Sequence, residues 1–176
     1  MRRSLVLAAL LLCGVAAPGA GQDVPKVEVG GGYSLLHDEE GHDNLNGWLA
    51  SFAGHVNRWL AIAAEFGHNH GGGAGAPDVS AFMAGPRVSW RRSRAVPFGQ
   101  FLVGSHHEHH ADGGAFHEDE TRFAYQLGGG VDIWLTPRAA VRFGGDYRHI
   151  PDSDSEHGHH SEARFQAAIV VGFGHR

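Results

Sequence analysis

Between Lys26 and Phe173 the chain repeats one design, segments of about ten residues in which apolar and polar side chains alternate, separated by turn-rich stretches. A period of two places successive side chains on opposite faces of an extended strand, so each segment has one apolar and one polar face. In Arg122 to Leu135, one face carries Phe123, Tyr125, Leu127, Val131, Ile133 and Leu135 and the other Arg122, Gln126, Gly128, Gly130 and Asp132. Arg138 to Arg148 sets Ala139, Val141, Phe143 and Tyr147 against Arg142, Gly144, Asp146 and Arg148. Glu162 to Phe173 sets Ala163, Phe165, Ala167, Ile169, Val171 and Phe173 against Arg164, Gln166 and Gly172. Lys26 to Leu36, Asn44 to Val56, Arg58 to Phe66, Val79 to Trp90 and Pro97 to Gly104 fit the same pattern, bringing the count to eight strands. In the third of these, Leu60, Ile62, Ala64 and Phe66 oppose Ala61, Ala63 and Glu65.

The start of the chain differs. Arg2 and Arg3, the apolar run Leu5 to Cys13 and the small-residue stretch Gly14 to Gly21 follow the order of a secretory signal peptide, and the run is too short to span a bilayer as a helix. Residues 1–21 are expected to be removed, leaving a barrel domain over residues 22–176. Leu12 stands where a lipoprotein signal wants a small residue before Cys13. The exported chain then has no cysteine, so packing and backbone hydrogen bonds must hold the fold. No later stretch has the apolar length of a transmembrane helix, so a place within a membrane requires a closed barrel.

Alternation does not say which face points inward. A soluble barrel of the lipocalin kind hides its apolar face, whereas a membrane barrel gives that face to lipid and turns its charges inside. Three features choose the membrane: the signal-like start, the aromatic residues near strand ends (Tyr33, Trp48, Trp59, Trp90, Trp134 and Tyr147), and connections of strictly alternating length. Asn57, Arg91 to Val96, and Thr136 to Pro137 are short; His37 to Asp43, Gly67 to Asp78, Ser105 to Thr121, and His149 to Ser161 are long. The expectation is an all-β, eight-stranded antiparallel up-and-down transmembrane barrel with short periplasmic turns and four longer extracellular loops. An interior of that size is filled by side chains, with Glu65, Arg87, Arg122, Asp132, Arg142, Asp146 and Arg164 as candidates for an internal ion-pair network rather than a conduction path.

The stretches MAGPRVSW at Met83 to Trp90, AVPFGQFLVG at Ala95 to Gly104 and IVVGFG at Ile169 to Gly174 resemble the small eight-stranded outer-membrane β-barrels of the OmpA and OmpX kind, grouped as outer-membrane β-barrel domain proteins. The resemblance covers the whole exported chain and implies a place in the bacterial outer membrane, outer-membrane lipid around the barrel, and insertion by the barrel-insertion machinery. Many such proteins end on an aromatic residue, whereas Gly174, His175 and Arg176 follow Phe173 here.

The motifs say less about activity. Lipid A deacylases of this architecture use a His with a Ser two positions on, and His149 is followed there by Pro151, so no hydrolytic triad is expected and the chain is read as a non-enzyme. Histidines are the unusual feature: of 15, twelve fall in the four long connections besides His149, which opens the last of them. They are His37, His42, His68, His70, His106, His107, His109, His110, His117, His157, His159 and His160. The same connections carry Asp38, Glu39, Glu40, Asp43, Asp78, Glu108, Asp112, Glu118, Asp119, Glu120, Asp152, Asp154 and Glu156, and no Lys or Arg lies in 37–43, 67–78, 105–120 or 150–161. Basic residues gather at the opposite end: Arg58, Arg91, Arg92, Arg94, Arg138 and Arg176. Imidazoles and carboxylates bind zinc, nickel and copper ions, so His68, His70, His106, His107, His109, His110, His117, His157, His159 and His160 are the candidate ligands, with HHEHH at His106 to His110 and EHGHH at Glu156 to His160 the densest sets. The competing expectation is that these are solvated loops whose histidines serve solubility. No cofactor is required by this reading, a monomer is expected, and nucleic acid is not an expected partner.

Overall fold

Every alternating segment becomes a strand. The computed structural model describes residues 24–38, 44–71, 78–109, 119–151 and 159–175; the expected leader over residues 1–21 lies outside them. The strands are β1 (Pro25–Asp38), β2 (Asn44–His55), β3 (Leu60–His70), β4 (Asp78–Ser89), β5 (Ala95–His109), β6 (Asp119–Trp134), β7 (Ala139–Pro151) and β8 (His159–His175). Each pairs antiparallel with its neighbours in sequence, and β1 pairs with β8 from Pro25 opposite His175 to Asp38 opposite Glu162, which closes the barrel. Closure leaves no strand edge, so every ladder group in the strands is offered a partner without water.

The short connections are set by local polar chemistry. Asn57 Oδ1 accepts from the backbone N–H of Trp59 at 2.9 Å and Leu60 at 2.8 Å, and Thr136 Oγ1 accepts from those of Arg138 at 3.2 Å and Ala139 at 2.9 Å. Such side-chain-to-backbone bonds replace ladder bonds where the chain reverses.

Strands run further than hydropathy indicates on the side of the long connections. β3 continues to His70, β5 to His109, and β8 begins at His159, so His37, His68, His70, His106, His107, His109, His159 and His160 are strand residues rather than loop residues. The physical reason is that an antiparallel ladder needs only a partner strand, whereas apolar alternation stops where lipid stops. Hydropathy therefore marks the membrane boundary, and the ladder ends beyond it.

The faces point as a membrane barrel requires. Leu127, Phe165 and Ile169 are 65%, 61% and 64% exposed on the outside, while Glu65, Arg87, Asp132, Arg142, Asp146 and Arg164 are buried inside. A soluble lipocalin-like barrel would show the reverse. Outward aromatics form a row on the side of the long connections, with Tyr33 opposite Trp48 and the Trp48 and Phe66 rings 5.5 Å apart. Trp59 and Trp90 mark the other end, where Arg92 stacks 4.9 Å from the Trp90 ring. Trp134 departs from the expected girdle: it is buried, packs with Val96, Ala140 and Val170, and meets Arg91 at 5.5 Å. Its even position places it on the face of Asp132, not that of Ile133, so an indole fills the periplasmic mouth.

Small inward residues make room for the large ones. Gly104 sits opposite Met83, and a Cβ there would stand 1.9 Å from the Phe82 carbonyl oxygen and 2.9 Å from Met83 Cα. Gly104→Ala is therefore expected to force the β4–β5 ladder apart and destabilise the barrel by about 1–3 kcal/mol, read as a lower urea midpoint for the refolded protein in detergent. An unchanged midpoint would show that the strands are spaced more widely than the backbone indicates.

Candidate functional site

Inside the barrel, arginine and carboxylate alternate from one mouth to the other. At the periplasmic mouth Glu28 meets His55 at 2.9 Å, Arg142 at 3.5 Å, and Arg91, which reaches in from the β4–β5 turn. Arg142 holds Asp132 through two bonds of 2.7 and 2.9 Å, and Arg142 and Arg87 both lie against the Phe98 ring, at 4.7 and 4.8 Å. Glu65 is the hub: it accepts from Arg87 at 3.3 Å, Gln100 at 2.8 Å, Gln126 at 3.4 Å and Arg164. Arg164 also grips Asp146 at 2.9 to 3.2 Å. Beyond it Arg148 donates to Gln126 and, at 3.0 Å, to Glu162, which lies 3.7 Å from His106.

The arginines Arg87, Arg91, Arg142, Arg148 and Arg164 are matched one for one by Glu28, Glu65, Asp132, Asp146 and Glu162. Buried charge persists only when paired in this way. Arg122, expected in this network, is only half-buried. Glu28, Arg91, Arg148 and Glu162 were not expected there, although the inward positions of Arg148 and Glu162 follow from their parity with Asp146 and Arg164. Arg91 belongs to a turn, for which alternation gives no direction.

The candidate histidine ligands belong to the other end, toward the long connections. His110, His117 and His157, with His42, lie outside the described residues. Period two divides the HHEHH run: His106 is buried inside beside Glu162, while His107 is on the outer face. In the ladders His109 stands opposite Asp78, His160 opposite Ile150 and His159 opposite Pro151. Within the first run His106 and His107 therefore do not cluster, because neighbouring residues in a strand look in opposite directions.

A different order replaces them. In each hairpin with a long connection, an outward His meets the side chain directly across the ladder through Nδ1: His37 with Asn44 at 3.1 Å, His68 with Ser80 at 2.9 Å, His107 with Thr121 at 2.6 Å, and His149 with Ser161 at 3.2 Å. His68 and His149 also lie against Trp48 and Tyr125, with ring centroids 6.5 and 5.0 Å apart, which sets them at the level of the aromatic row. Ladder partners thus supply what Pro151 denied, a serine beside His149. Asn44, Ser80 and Thr121 occupy the same place in the other hairpins, so the pair is one instance of a repeated strand-end arrangement. Among the described residues, no Lys or Arg faces outward at this end.

Comparison with known proteins agrees with this architecture. A family model described as outer membrane protein beta-barrel domain matches residues 5–176. The chain belongs to that family. Its members are proteins of the bacterial outer membrane, and the charged interior and apolar exterior described above are those of a member embedded in lipid. No curated protein matches the chain by sequence. Among solved structures, Neisserial surface protein A is similar over 84% of this chain and 96% of that one, with 15% identity and a TM-score of 0.70. Ail, the attachment invasion locus protein of Yersinia pestis, is similar over 85% of this chain and 99% of that one at 14% identity, with a TM-score of 0.64 in its complex with the heparin analogue sucrose octasulfate. The N-terminal β-barrel domain of Pseudomonas aeruginosa OprF covers 86% of this chain and is itself covered completely, at 100%, with 12% identity and a TM-score of 0.58. At such identities the likeness is one of fold. The protein is a small outer-membrane β-barrel.

Proposed function

We propose that this family member is a closed, non-enzymatic anchor whose extracellular rim captures divalent transition-metal ions. The observation that carries the reading is the sorting of charge: arginines are consumed inside by carboxylates, and the outward rim is left with imidazoles, carboxylates and hydroxyls. A filled interior leaves no large pore to serve. Ail binds a polyanion in its complex with sucrose octasulfate; the rim here has the opposite chemistry among its described residues and suits cations.

The test is calorimetry on the refolded barrel with zinc, nickel and copper ions at about pH 7.5, where imidazole is mostly neutral, and again at about pH 5, where proton and metal compete for the same lone pair. Binding at the first pH and release at the second are expected. Heat no greater than that of a variant with every rim histidine replaced by asparagine would leave the structural role alone.

A further inference from the structure

The arginines of the short turns are divided between two tasks. Residues 56–59, 90–94 and 135–138 include Arg58, Arg91, Arg92, Arg94 and Arg138 and no Asp or Glu. Arg91 turns in to Glu28, whereas Arg58, Arg92, Arg94 and Arg138 are exposed. Among the described residues none of these four pairs with a carboxylate: Glu28 and Asp132, the acids of this mouth, are buried and taken by Arg91 and Arg142. The three turns join β2 to β3, β4 to β5 and β6 to β7, so uncompensated positive charge recurs at every second strand around the periplasmic mouth. At the extracellular end, by contrast, no Lys or Arg among the described residues faces outward.

Trp90 sets the level of this charge. It is 60% exposed, follows Val88, itself 50% exposed, on the outward face of β4, and carries the Arg92 guanidinium 4.9 Å from its ring. Arg58 approaches the same place from β3. Leu60 opposes Val88, Ser89 N–H still donates to the Trp59 carbonyl at 2.8 Å, and two positions beyond Leu60 and Val88 stand Arg58 and Trp90. The turn that carries Arg138 likewise opens on outward Leu135, 64% exposed. An aromatic residue at the end of an apolar belt lies at the headgroups, so a guanidinium stacked on it lies at the level of lipid phosphate.

We propose that this arginine collar binds anionic phospholipid of the inner leaflet through the headgroup phosphate. The metal reading of the opposite rim has no part in it. A guanidinium fork matches two phosphate oxygens with parallel hydrogen bonds, and the indole beneath Arg92 orients that fork in advance. Zwitterionic lipid presents the same phosphate beside an ammonium, which repels guanidinium, so the collar selects headgroups of net negative charge. A soluble polyanion would meet the same charge, but Arg92 lies against a ring on the lipid-facing side of the barrel, which favours lipid.

The whole exported barrel is refolded into phosphatidylcholine vesicles containing an equal small fraction of either brominated phosphatidylglycerol or brominated phosphatidylcholine, and quenching of tryptophan fluorescence is measured. Both ends are then offered the same lipid, and any difference between them belongs to the protein. Trp134 is buried inside, away from lipid, so Trp48→Phe leaves Trp59 and Trp90 to report on the collar, and Trp59→Phe with Trp90→Phe leaves Trp48 to report on the opposite end. Heat-modifiable migration in dodecyl sulfate shows that each variant has folded. At the collar, brominated phosphatidylglycerol is expected to quench as though enriched about fivefold over brominated phosphatidylcholine, the effect of one basic residue at an anionic surface. The enrichment should disappear when Arg58→Gln, Arg92→Gln, Arg94→Gln and Arg138→Gln are combined, shrink in about 1 M sodium chloride, and be absent at Trp48. Inorganic phosphate should reduce it no more than sodium chloride of the same ionic strength. Equal quenching by the two lipids at the collar overturns the proposal, as does an enrichment that survives the four substitutions. Displacement by inorganic phosphate beyond the salt effect also overturns it, in favour of a site for free anions.

Discussion

Glu65→Leu is expected to cost the barrel about 3–5 kcal/mol, the loss typical when one partner of a buried ion pair is removed. Glu65 is 2% exposed and receives Arg87, Arg164, Gln100 and Gln126, so its loss strips charge compensation from Arg87 and half of that from Arg164. Arg164 keeps Asp146, but among the described residues Arg87 keeps Gln100 and the face of Phe98 as its contacts and no carboxylate in direct contact. The double variant Glu65→Leu with Arg87→Met should therefore recover most of the loss, because it removes one charge of each sign and leaves Arg164 with Asp146. Equilibrium unfolding of the refolded barrel in urea checks both. A loss within about 0.5 kcal/mol for Glu65→Leu alone, the range of ordinary surface changes, would mean that water solvates these charges and that the interior is not a packed network.

That network shows what sequence could and could not convey. Alternation in Arg58 to Phe66 already places Glu65 on the non-apolar face, and parity does the same for Arg142, Asp146 and Arg164. Pairing is another matter. Glu65 and Arg164 are separated by 99 positions, and only the closure of β1 on β8, with the register of every ladder between, brings them together. Trp134 illustrates a related point: its residue type suggests a membrane interface, whereas its parity with Asp132 places it inside, and parity is the stronger signal in a strand.

At the rim the same contrast decides the candidate site. Composition draws notice to HHEHH, of which strand geometry turns His106 inside and His107 outside. The contacts of His37, His68, His107 and His149 with Asn44, Ser80, Thr121 and Ser161 depend on strand register, which composition does not give. The apolar pattern ends before this row, so it offered no measure of register there.

Ile169→Arg tests the outward face as directly as Glu65→Leu tests the inward one. Ile169 is 64% exposed on β8, opposite Gly31 of β1 and Val141 of β7, and lies between Phe165 toward the extracellular side and Phe173 toward the periplasmic end. Were this surface in water, arginine at so exposed a site would change stability by about 0.5 kcal/mol or less. Deep in the hydrocarbon of an outer membrane it is expected to cost about 2–4 kcal/mol, falling to about 0–1 near the interface. Trp90→Arg, at the periplasmic aromatic row, supplies the shallow comparison, although it also removes the ring on which Arg92 stacks. Folding titrations into phospholipid vesicles measure the difference: Ile169→Arg should be penalised more than Trp90→Arg, and the penalty should shrink in thinner bilayers, where the guanidinium reaches the headgroups sooner. Equal, small effects at both positions would place the apolar belt against water and return the fold to a soluble barrel turned inside out.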